Sequence, residues 1–86
     1  MDKEQLKQLK KISNELKAQF NLGKAGITNS FIKMVDEYLE AHNVVKIKAS
    51  IAQDKNALSF YADEIAKETL SEIVEKKGYT FTLFRA

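Results

Sequence analysis

The four residues Gly23-Lys24-Ala25-Gly26 carry the sharpest chemical signal in the chain. They follow a short apolar run, Phe20 and Leu22, and precede an amphipathic pattern of Phe31, Ile32, Val35, Tyr38 and Leu39. Glycine lacks Cβ, so its backbone can approach a ligand closely and adopt positive φ at low cost. The N-terminus of a following helix adds unpaired N–H donors and partial positive charge. Glycines flanking a lysine at a strand-to-helix junction therefore suit a phosphate group. The plain alternative is a tight turn that binds nothing, since short motifs often match by chance.

Lysines supply the second signal. Lys3, Lys7, Lys10 and Lys17 recur with Asn14 at helical spacing, beside the apolar series Leu6, Leu9, Ile12 and Leu16. Lys11 adds to the same stretch, and acids are few there. Such a stripe can position a nucleic-acid backbone; the alternative is an ordinary solvated helix face. Lys46 and Lys48 share one face of the alternating segment at 44–49, whose other face carries Val45, Ile47 and Ala49. An exposed sheet face or a blunted edge strand would also explain them. Arg85 stands near the C-terminus, where a solvated residue is the simpler reading. The formal net charge is only +2. Its distribution is uneven: residues 1–26 hold six lysines against three acids, whereas residues 49–86 hold five basic residues against six acids. The positive charge thus gathers around the glycine motif.

Other chemistries find little support. Cysteine is absent, which excludes a disulfide scaffold, a thiolate metal site and a cysteine nucleophile. No nucleophile–base pair or metal-ligand cluster is evident, so neither an enzyme nor a cofactor is expected. His42 has no partner at a telling spacing and reads as structural. No apolar run approaches the ~20 residues that span a bilayer. The opening Met-Asp-Lys-Glu-Gln lacks the apolar core of a secretory signal. The expectation is a cytoplasmic, monomeric protein without a membrane partner. Most aromatics, Tyr79 among them, read as core. Phe60 and Phe84 fall off the inner faces of their elements, where either could stack on a base; a second packing face is the plainer reading.

The elements that must hold these residues follow from periodicity. With 86 residues, 44% hydrophobic and 30% charged, the chain suits one soluble domain over residues 1–86. Helical spacing covers 3–17, 28–42 with Thr28 or Asn29 as N-cap, and 54–69 with Asp54 as N-cap. Strand patterns cover 18–22, 44–49, a segment opened by Ile73-Val74, and 79–85, with Lys77-Gly78 as a hairpin turn. The order αβαβαββ predicts an α/β fold. It comprises a mixed four-stranded sheet packed with helices, with parallel pairing through crossovers and a final antiparallel hairpin.

In this order the chain resembles a known family. Leu22-Gly23-Lys24-Ala25-Gly26-Ile27-Thr28, then His42-Asn43-Val44-Val45-Lys46-Ile47-Lys48, then Gly78 and Leu83-Phe84-Arg85 resemble the CRM domain. This is the chloroplast RNA splicing and ribosome maturation domain, found as stand-alone YhbY-like proteins. The resemblance runs from about Leu6 to Arg85. It implies a fold similar to the C-terminal domain of translation initiation factor 3. It also implies binding of structured RNA through a GxxG loop, much as in KH domains. For stand-alone members it implies a part in large ribosomal subunit assembly, and for plant members a part in group II intron splicing. On this sequence the implied RNA contacts fall on Gly23, Lys24, Ala25 and Gly26, on Lys3, Lys7, Lys10, Lys11 and Lys17 of the basic first helix, on Lys46 and Lys48, and on Arg85. The chain departs from the family in having only lysine where the first helix is usually richer in arginine. It also lacks the proline often found before the first strand. The expected function is RNA binding, through ribosomal RNA or a pre-ribosomal particle. The alternative is a ribosome-associated protein-interaction adaptor that does not touch RNA.

Overall fold

A computed structural model describes residues 2–86. Three helices, α1 (Lys3–Glu15), α2 (Asn29–His42) and α3 (Lys55–Thr69), alternate with strands β1 (Phe20–Asn21), β2 (Val44–Lys48), β3 (Glu72–Lys77) and β4 (Thr80–Phe84). Each helix opens on a side-chain cap. Asp2 accepts from the Gln5 N–H, Thr28 from that of Phe31 and Asp54 from that of Ala57, which satisfies donors that a helix start leaves unpaired. Asn43 closes α2 in the left-handed region, at φ 69°, and donates its N–H to the Leu39 carbonyl. Asparagine tolerates that conformation better than most residues.

The four-stranded sheet is mixed, as the pattern predicts, and its order is β1-β2-β4-β3. β1 pairs parallel to β2, and β4 lies antiparallel between β2 and β3. The crossover through α3 therefore does not bring β3 beside β2, as simple alternation suggested. It carries β3 one strand further out, and the hairpin returns β4 into the gap. In that central position β4 is covered on both faces and paired on both edges, and Phe81, Thr82 and Leu83 are all buried.

One face of the sheet meets α2 and α3. Val45, Ile47, Phe81 and Leu83 pack there with Phe31, Val35, Leu39, Leu58, Ala62 and Ile65. The opposite face carries α1, held by a hydrogen bond between the buried Ser13 and Thr82 hydroxyls, 2.7 Å apart. Periodicity placed Leu6, Leu9, Ile12 and Leu16 on the inner face of α1. Leu9 is buried and Leu6 and Leu16 are half-buried, whereas Ile12 is 45% exposed and Ser13 is buried in its stead. A hydroxyl pair completes the apolar stripe. The helix also ends two residues short of the expected 17, because Leu16 turns extended and donates back to Ile12 and Ser13.

Both α2 and α3 begin at the end of the sheet where β1 and β2 finish and where the β3–β4 turn lies. Leu22 donates to the Lys48 carbonyl and accepts from Ile51, while Ala49 donates to the Tyr79 carbonyl. These bonds tie the glycine segment, the loop after β2 and the hairpin tip into one surface.

Candidate nucleic-acid interface

The glycine motif forms a β-turn in which Gly26 donates its N–H to the Gly23 carbonyl at 2.9 Å. The buried Leu22 anchors it to the core. Lys24 and Ala25 occupy the exposed corner. Among the described residues no hydrogen bond engages the Lys24 or Ala25 N–H, and no ion pair holds the Lys24 amine. The two glycines do different work. Gly26 sits at φ +69°, a conformation that resists a side chain. Gly23 has no such constraint, and a Cβ built there meets nothing within 4 Å. α2 starts directly beyond the turn, with no acid in its first turn to offset its partial positive charge. The turn thus presents free donors and an ammonium group close to an acid-free helix start, whose Phe31 N–H is capped by Thr28.

The lysines divide by location. Lys3, Lys7, Lys10 and Lys11 lie exposed on α1, and Lys17 lies exposed just beyond its end. Lys48 is exposed where β2 runs out, at the same end of the sheet as the glycine turn. None of these six is in an ion pair among the described residues. Contact of Lys77 Nζ with Asn14 Oδ1 at 3.4 Å brings the end of α1 to the hairpin tip. The lysines at 10, 11 and 17 therefore approach the end of the sheet that carries the glycine turn, whereas Lys3 opens the helix at its far end.

Two cations implied by the resemblance are committed elsewhere. The Lys46 amine is half-buried beneath α1 and donates to the Ser13 carbonyl at 2.9 Å and the Leu16 carbonyl at 3.2 Å. It caps the helix C-terminus, where carbonyls lack partners and a cation is favoured. Arg85 lies at the opposite end of the sheet from the glycine turn, beside the start of β2. Its guanidinium reaches Asp36 Oδ1 at 2.5 Å, the Asp36 carbonyl at 3.0 Å, the Thr69 carbonyl at 2.8 Å and Glu40 Oε2 at 3.3 Å. Its backbone N–H donates to the Asn43 carbonyl, and its carbonyl accepts from the Asn43 side chain. Arg85 thus joins both helix C-termini to the end of β4, and no free face remains for it in the basic surface.

The hairpin tip contributes residues that the sequence reading did not assign to the surface. Tyr79 is 43% exposed and outside the core expected for it, because β4 begins only at Thr80. Lys55 Nζ lies 4.6 Å from the centroid of its ring and donates to the neighbouring Gly78 carbonyl. Phe60 is 58% exposed, so no second packing face covers it; Phe84 is half-buried at the far end of the sheet. His42 lies against Tyr38, with ring centroids 4.3 Å apart. Among the described residues no helix is long and apolar enough to cross a membrane.

The model of the CRS1 / YhbY (CRM) domain matches residues 1–85. The chain belongs to the CRM domain family. It is 29% identical over 79 residues to the probable RNA-binding protein YqeI of Bacillus subtilis, a match covering 90% of this chain and 79% of that one. It is 28% identical over 87 residues to the probable RNA-binding protein PA4753 of Pseudomonas aeruginosa, covering 99% of this chain and 81% of that one. The solution structure of Staphylococcus aureus SAV1595 superposes with a TM-score of 0.83 at 23% identity, over 100% of this chain and 88% of that one. The CRM fold expected from the sequence is thus the fold observed.

Proposed function

We propose that this CRM domain binds structured RNA mainly through phosphate contacts, with the Gly23–Gly26 turn as the centre of the interface. The observation that carries the reading is the exposed turn itself. Its free Lys24 and Ala25 N–H groups and the unpaired Lys24 amine lie next to the acid-free start of α2. A phosphate seated there would accept from the backbone while meeting the ammonium charge. The lysines at 7, 10, 11, 17 and 48 extend the contact as a positioning surface, and Lys3 reaches it only along the length of α1. Lys46 and Arg85 support this surface from beneath and behind. The naming of YqeI and PA4753 as probable RNA-binding proteins supports the same reading.

The RNA in this proposal is ribosomal, within the assembling large subunit, as the family resemblance implies. Crosslinking in cells followed by sequencing of the attached RNA tests that part. The expected result is enrichment of large-subunit ribosomal RNA, above its abundance, in a few discrete segments. Crosslinks spread over all transcripts in proportion to abundance would contradict it.

A further inference from the structure

We infer that Tyr79 is a stacking platform for an unpaired base, so that the favoured RNA carries a single-stranded nucleotide next to the phosphate held by the glycine turn. This rests on the RNA reading above and deepens it. Three observations converge on the ring. It is exposed at a turn where an apolar packing role would have buried it. The Tyr79 carbonyl accepts from Ala49 at 2.8 Å, which anchors the backbone beneath the ring, and Lys55 Nζ stands over one face, 4.6 Å from the centroid. Lys55 itself is fixed to the Gly78 carbonyl. A ring anchored at its backbone and backed by a cation loses less entropy when a base stacks on its other face.

Position and charge name the occupant. Leu22 extends β1 and Tyr79 leads into β4, with β2 between them. Two strand spacings separate the glycine turn from the ring, ~10 Å, within reach of a short single-stranded segment. Lys48 lies on the strand between them, Lys55 stands against the ring and Lys77 lies beyond it on β3, so phosphates on either side of the stacked base meet positive charge. The rival aromatics lack this setting. Phe60 is followed one helical turn later by Asp63 and Glu64, and Lys76 there is already paired with Asp63 at 3.7 Å. Phe84 lies at the opposite end of the sheet. Stacking on an aromatic face accepts any base, and it favours single strands because paired bases hide their faces.

The protein has no tryptophan, so Tyr79→Trp creates a single reporter at the ring. An oligouridine should quench its fluorescence on binding, whereas a fully paired RNA duplex of equal length should bind without quenching. Tyr79→Ala should weaken oligouridine binding about tenfold to a hundredfold, and Tyr79→Phe should restore it, since stacking needs the ring and not the hydroxyl. Equal affinity of wild type and Tyr79→Ala for oligouridine, or equal quenching by both RNAs, would overturn the inference. A Lys24→Glu control keeps the two failures apart. If that variant loses RNA while Tyr79→Ala does not, the phosphate site stands and the platform falls. If the wild type binds neither RNA, both fall.

Discussion

Arg85→Ala is expected to lower the unfolding free energy by about 2–3 kcal/mol, and the melting temperature of a chain this size by roughly 10 °C or more. The ion pairs are not the main reason. Asp36 and Glu40 are 53% and 84% exposed, and pairs of that kind contribute little. The weight lies in the carbonyl contacts. The guanidinium is 20% exposed and serves the carbonyls of Asp36 and of the buried Thr69. Removing it leaves the acceptor in the last turn of α3 without its donor, which costs more than the net value of the bond. It also loosens the attachment of α2 and α3 to the end of β4. Lysine should recover only part of the loss, because a point charge cannot reach acceptors arranged for a planar fork. Thermal denaturation of the alanine and lysine variants decides the matter. If Arg85→Ala melts with the wild type but loses RNA, Arg85 belongs to the interface, as the family resemblance implies.

Lys24→Glu should have the larger effect on binding. Each phosphate contact adds roughly 0.7–0.9 to the slope of log affinity against log salt. Losing one contact and gaining a repulsive charge should flatten the slope by about one unit and lower affinity about tenfold or more at low ionic strength. Wild type and variant should converge as salt screens the site. The residue is exposed at a turn corner and unpaired, so stability should change by less than about 0.5 kcal/mol. Filter binding to total ribosomal RNA over a salt series reads both slope and affinity. Parallel lines for the two proteins would place the phosphates elsewhere.

Much of this architecture is legible in the sequence because caps and periodicity report local forces. Thr28 and Asp54 mark helix starts whose geometry the structure reproduces. The alternation of Val45 and Ile47 against Lys46 and Lys48 marks a strand with one face in the core. What escapes the sequence is long-range. Nothing local shows that β4 inserts between β2 and β3, since both arrangements bury Phe81 and Leu83. The Ser13–Thr82 hydrogen bond joins positions 69 residues apart, each of a type that reads as polar surface. The roles of Lys46 and Arg85 are hidden for the same reason: a lysine on a strand looks the same whether it faces solvent or the end of a helix. Tyr79 follows the alternation of the last strand, and only the pairing that starts at Thr80 removes it from the core. The glycine turn was visible from its residues, but the distinction between Gly23 and Gly26 needed the backbone angles.

That distinction supplies the most direct test of the phosphate-binding turn. Gly26→Ala forces a side chain into the left-handed region and should cost ~1–2 kcal/mol of stability, so its effect on RNA would be confounded. Gly23→Ala carries no such penalty, because its added methyl group meets no protein atom within 4 Å. If a phosphate seats on the Lys24 and Ala25 N–H groups, the methyl group takes up open space next to it. The measurement is therefore the affinity of Gly23→Ala for ribosomal RNA at low salt, alongside its melting temperature. The account predicts an unchanged or slightly raised melting temperature with affinity reduced about tenfold, the loss of one or two charge-assisted hydrogen bonds. Wild-type affinity in a fully folded Gly23→Ala would contradict it, and would leave the motif as a turn that shapes the entry to α2 and nothing more.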